Sequence, residues 1–95
     1  MREINDREGE GTVLGNLGGT YHFLGNHTKA IEYHEQSLAI ARKINDRHKE
    51  GITLDRLGLA YSSLGNYAKA IKYHEQGLAI LREVKDRLSQ GAALS

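Results

Sequence analysis

The sequence predicts an all-α fold in which antiparallel helix pairs stack into a solenoid. Three observations carry that prediction. Residues 4–43 align without a gap onto residues 44–83, an offset of 40, with 24 of 40 positions identical. Within each copy the apolar residues recur at steps of three and four, the spacing of one helix face. The 95 residues include no proline, which favours long helices. A helix pair of this kind cannot bury its apolar stripes alone, and neighbouring copies must stack to cover them.

The elements follow in chain order. Leu14, Leu17, Tyr21 and Leu24 step by 3, 4 and 3 and set a first helix over roughly 7–24. Gly25-Asn26 ends it, a helix-stopping glycine followed by a turn residue. Ala30, His34, Ser37, Ala41 and Ile44, flanked by Ile31 and Leu38, set a second helix over roughly 27–44. The second copy repeats both stripes. Leu54, Leu57, Tyr61 and Leu64 lie on a helix over roughly 47–64, ended by Gly65-Asn66. Ala70, His74, Gly77, Leu81 and Val84 lie on another over roughly 67–84. Asp6, Asp46 and Asp86 stand where an N-cap belongs. The expected organisation is one domain over 1–95, with repeat 1 at 4–43, repeat 2 at 44–83 and a partial repeat 3 at 84–95 that supplies a first helix from residue 87.

These residues carry a resemblance. Leu14-x2-Leu17-Gly18-x2-Tyr21 followed by Ala30-x3-His34, and its copy Leu54-x2-Leu57-Gly58-x2-Tyr61 followed by Ala70-x3-His74, are similar to the tetratricopeptide repeat pattern W-x2-L-G-x2-Y, A-x3-F. Leu14 and Leu54 replace its tryptophan, His34 and His74 replace its second aromatic, and its closing proline is absent. The 40-residue unit and the phrases Leu-Gly-Asn and His-Glu-Gln resemble the long-unit repeats of the LGN/Pins scaffold family, kinesin light chains and bacterial arrays. The resemblance implies a right-handed α-solenoid of about two and a quarter repeats. It also implies a protein–protein interaction module, a scaffold or adaptor that takes a peptide or helix of a partner in a concave groove.

In such arrays the first helix of each pair lines the groove. The resemblance therefore places Asn16, Gly19, His22 and Phe23 of the first unit there, with Asp55, Arg56, Leu59, Ser62 and Ser63 of the second. Thr12 and Ile52 share that face. Phe23 and Leu59 are apolar residues off the core stripe, which suggests contact with a partner. Asn16 and Arg56 occupy a position where related arrays use asparagine to hold a peptide backbone. Arg56 is the only cation in the set, so an acidic C-terminal peptide is not the expected ligand.

Composition narrows the classes further. The absence of cysteine removes a disulfide framework, a thiolate metal site and a cysteine nucleophile, and it fits a cytoplasmic protein. Thirteen Lys and Arg against twelve Asp and Glu leave a formal charge of +1, which argues for neither nucleic acid nor an anionic membrane as partner. No apolar run is long enough to span a bilayer. His34 and His74 sit on equivalent helices expected about 10 Å apart, too far to share an ion held at about 2.0–2.1 Å. His22, His27 and His48 are unrepeated and read as surface residues. No nucleophile has a base and an orienting partner nearby in sequence. No catalytic residue, cofactor or metal is expected.

Gly9, Gly11, Gly15, Gly18 and Gly19 crowd the first helix, each costing about 1 kcal/mol relative to alanine. That helix is expected to be the softer of the two first helices. A phosphate-binding loop is excluded at Gly15 to Gly19, because no strand precedes it and no Gly-Lys-Ser/Thr follows. Two and a quarter repeats without a distinct polar cap also leave apolar stripe at the ends. The alternative function is therefore self-assembly, with homodimers formed by end-to-end stacking or helix exchange.

Overall fold

The computed structural model describes residues 3–94, and side chains over residues 6–89. Four helices account for nearly all of it: α1 (Glu3–Phe23), α2 (His27–Lys43), α3 (Arg47–Ser63) and α4 (Tyr67–Leu94). No strand occurs among the described residues. The molecule measures 45 × 36 × 18 Å. Its thin dimension corresponds to two layers of helices about 10 Å in diameter.

The turns explain the boundaries. Gly25 and Gly65 adopt φ values of 86° and 83°, a left-handed conformation that glycine enters without steric cost. Asn26 and Asn66 then cap the helices that follow, each accepting a hydrogen bond from the backbone N–H three residues on, at 3.2 and 3.3 Å. Between α2 and α3 the reversal is made by Asn45 at φ 60°, and Asp46 caps α3 by accepting from Lys49 N at 3.1 Å.

Pairing within a unit is antiparallel. Along α1 the contacts run from Gly11 beside Ile40, through Gly15 beside Ser37, to Gly18 beside His34, and Tyr21 stacks on Tyr33 at 5.5 Å. As the number rises on α1 it falls on α2. The second pair repeats this order, from Gly51 beside Leu81 to Gly58 beside His74, with Tyr61 stacked on Tyr73 at 5.4 Å. Helices α2 and α3 join the pairs. Their interface holds the buried cluster of Leu38, Leu54 and Leu57, to which α4 adds Ile80. Two polar contacts frame it, Arg42 Nε donating to Glu50 Oε2 at 3.1 Å and the Tyr61 hydroxyl reaching Glu35 Oε1 at 3.5 Å.

Two of the three expected caps are corrected. Asp6 lies inside α1 and Asp86 inside α4, and the separate helix expected from residue 87 is the continuation of α4. Local chemistry accounts for the second case. The chain leaves α2 through Asn45, a residue that tolerates positive φ, whereas the matching position after Val84 is Lys85. Asp6 stands three residues inside α1, which begins at Glu3. Leu24 and Leu64, which complete the apolar stripes in sequence, are 68% and 51% exposed, because each falls in a turn beyond the packed part of its helix.

Candidate partner-binding groove

Helices α1 and α3 lie in one layer and touch only lightly, which leaves a cleft of about 190 Å³ between them. Gly11, Thr12, Gly15 and Asn16 form one wall and Lys49, Ile52, Thr53 and Arg56 the other, with Ser37 of α2 at the floor. Gly11 and Gly15 place no side chain in the cleft. Ser37 is buried and donates to the carbonyl of Gly11 at 3.0 Å. Lys49 Nζ donates to Thr12 Oγ1 at 2.8 Å and bridges the two walls.

Of the residues expected in the groove, the structure brings Asn16 and Arg56 together in this cleft. Gly19 is half-buried with open space beside it. Phe23 and Leu59 are exposed at 89% and 48%, Ser63 is exposed and Ser62 half-buried. Asp55 is engaged sideways, its Oδ1 2.6 Å from His74 Nδ1 on α4. A carboxylate can only accept, so the imidazole donates. His22 Nδ1 lies 3.1 Å from His27 Nδ1, one ring donating and the other accepting, and the rings meet edge to face. That contact has no copy, because Ser62 and Tyr67 stand at the equivalent positions.

Sequence reasoning missed Lys49. Arg56 is therefore not the only cation on this face, and Lys49 lies seven residues before it, two helical turns along the same side. That spacing was the available signal. Gly11 and Gly15 read in sequence only as helix-weakening residues, and in the structure they form part of the cleft wall.

The two repeated histidines differ. His74 is half-buried and paired with Asp55. His34 is 2% exposed and its Nδ1 is buried without a hydrogen-bond partner. Burial, followed by the positive charge of Arg56 and the neighbouring His22, holds the His34 imidazole down to about 4. It is neutral at neutral pH.

A second depression, of about 420 Å³, lies on the opposite layer between α2 and α4, with Glu35, Arg42, Lys72 and Tyr73 in its lining. Among the described residues no three or more His, Asp or Glu side chains converge to hold a metal ion, and no helix is long and apolar enough to cross a membrane.

Stacked helix pairs with a solvent-open cleft between their first helices define a helical-repeat protein. A family model for the tetratricopeptide repeat matches residues 9–83, and the chain belongs to that family. In general terms this makes it a protein–protein interaction module. No curated protein matches the chain.

Proposed function

We propose that the groove between α1 and α3 holds an extended segment or a helix of a partner protein, making the chain a scaffold or adaptor. The observation that carries this reading is the cleft itself, in which Asn16 and Arg56 face each other across small residues while Phe23 and Leu59 stand exposed on the same helices. Asn16 and Arg56 supply hydrogen bonds to a peptide backbone. Phe23 and Leu59 offer apolar contacts of the kind that dominate small interfaces. Lys49 adds a second cation and shifts the expected ligand toward segments carrying an acidic residue.

A peptide library selected against the chain tests the reading, with the binding site mapped by amide chemical-shift changes. Shifts centred on residues 12–23 and 49–63, with affinity falling about tenfold or more in Arg56→Ala, support it. Shifts confined to α2 and α4 defeat it.

A second reading, assembly of copies through the ends of the stack, is favoured by a separate observation. Val13 on α1 and Ile71 on α4 are each 58% exposed, and neither lines the cleft.

A further inference from the structure

We infer that the outer face of α4 in one copy docks onto the outer face of α1 in another, in the register that α2 and α3 use within the chain. This inference rests on the self-assembly reading and gives it a specific geometry.

The 40-residue offset allows each end to be compared with the internal interface. On α2, Ile31, Glu35, Leu38 and Arg42 face α3. Their equivalents on α4 are Ile71, Glu75, Leu78 and Arg82, identical at all four positions. On α3, Glu50, Thr53, Leu57 and Tyr61 face α2. Their equivalents on α1 are Glu10, Val13, Leu17 and Tyr21, identical except that valine replaces threonine, which makes the α1 face more apolar.

Burial shows what is left uncovered. Leu38 is 6% exposed inside the chain while Leu78 is 49% exposed. Thr53 is 4% exposed and Leu57 fully buried, while Val13 is 58% and Leu17 36% exposed. The two faces are thus the two halves of an interface the molecule already makes, presented at opposite ends.

The polar contacts match as well. Internally, Arg42 reaches Glu50 and Tyr61 reaches Glu35. At the junction these become Arg82 of one copy with Glu10 of the next, and Tyr21 with Glu75. Glu10, Glu75 and Arg82 are all exposed. The continuation of α4 past Asp86 does not block the fit. An antiparallel α1 begins at Glu3, one turn earlier than the α3 equivalent, and runs alongside that extension.

Because the contact joins two different faces, it is heterologous and does not close on itself in a dimer. One helix face on another lies at the small end of interface sizes, so association is expected to be weak.

The test is molar mass by sedimentation across a hundredfold range of concentration, with helicity checked by circular dichroism. Wild type is expected to grow past the dimer. Val13→Glu and Leu78→Glu, each at an exposed site, are expected to remain helical monomers. Mixed together they are expected to form a dimer and stop there, since one intact α4 face meets one intact α1 face. Arg82→Glu is expected to weaken growth at least tenfold, and Glu10→Lys in the same chain to restore it. A closed dimer insensitive to Val13→Glu, or a mixture that stays monomeric, overturns the head-to-tail register while leaving self-assembly standing. A wild-type monomer throughout overturns both.

Discussion

His74 Nδ1 lies 2.6 Å from Asp55 Oδ1, and the equivalent bond in the first helix pair does not exist because residue 15 is glycine. One substitution between copies therefore leaves His34 Nδ1 buried and unpaired. Such a group loses its hydration without replacement, a cost of about 1–3 kcal/mol. A Cβ on residue 15 would meet only Ser37 Oγ, at 3.5 Å. Gly15→Asp is accordingly expected to restore the pair, raising stability by about 1 kcal/mol or more and lifting the His34 imidazole from about 4 toward its ordinary value. Urea unfolding and an NMR titration of the His34 ring read both effects. An unchanged titration would show that the aspartate does not reach the ring.

The same histidine gives stability a pH dependence of known sign. In the unfolded chain its imidazole takes a proton near 6.5, whereas in the folded protein it does so only at about 4. The unfolded state therefore binds more protons as pH falls below 6.5, and folding weakens until about pH 4, below which this contribution levels off. The gap corresponds to about 3 kcal/mol. His34→Phe is expected to flatten the decline between pH 6.5 and 4.5 in chemical denaturation. An equally steep decline in the variant would place the effect elsewhere.

Much of the fold was legible because repetition and helical period act together. Four stripes in register specify four helices, and Gly25 and Gly65 mark turns that their positive φ requires. Where the reading failed, identical letters stood in different surroundings. Asp46 caps a helix because Asn45 has reversed the chain before it, and Asp86 does not because Lys85 continues the helix. For the groove, the resemblance suggested a face, and nothing in the sequence suggested a cleft. The cleft opens at Gly11 and Gly15, whose significance lies in what α3 places opposite them. The resemblance puts Asp55 on that face, yet its carboxylate turns to His74 on the neighbouring helix, a choice made by tertiary contact.

The glycines of α1 separate into two kinds. A Cβ on Gly18 would lie 2.7 Å from the His34 ring, whereas beside Gly9 and Gly19 nothing lies within 4 Å. Gly9→Ala and Gly19→Ala are expected to raise stability by about 0.5–1 kcal/mol each through helix propensity. Gly18→Ala forces the packed ring to move and is expected to cost about 1–3 kcal/mol. Denaturation midpoints of the three variants check the contrast. Hydrogen exchange in the wild type should be faster over residues 9–19 than over 49–59, and Gly9→Ala with Gly19→Ala should narrow that difference. Equal protection at the outset would mean that packing alone sets the rigidity of α1.

Glu50 ties the two helix pairs together and should tolerate substitution less well than Glu83. It is 7% exposed and accepts from Arg42 Nε of α2 at 3.1 Å and from Arg47 Nη1 at 2.9 Å. Arg47 Nη2 also donates to Glu83 of α4 at 3.1 Å. That bond and the one to Glu50 raise the Arg47 guanidinium further above its ordinary range. The hydrogen bond from Arg47 holds the Glu83 carboxyl below its ordinary value, so its contribution is present above that value and is lost as pH falls through the folded one. The two carboxylates nevertheless differ in surroundings. Glu83 keeps 39% of its side chain exposed against 9% for Glu50, and solvent screens the former strongly. Glu50→Gln is expected to cost about 1–3 kcal/mol, because one of its two arginines then faces an amide N–H. Glu83→Gln is expected to change stability little, and 1 M NaCl to erase most of what change there is. Urea denaturation at low and high salt distinguishes the two. If Glu50→Gln were as mild as Glu83→Gln, the α2–α3 joint would rest on the packing of Leu38, Leu54 and Leu57 rather than on Glu50.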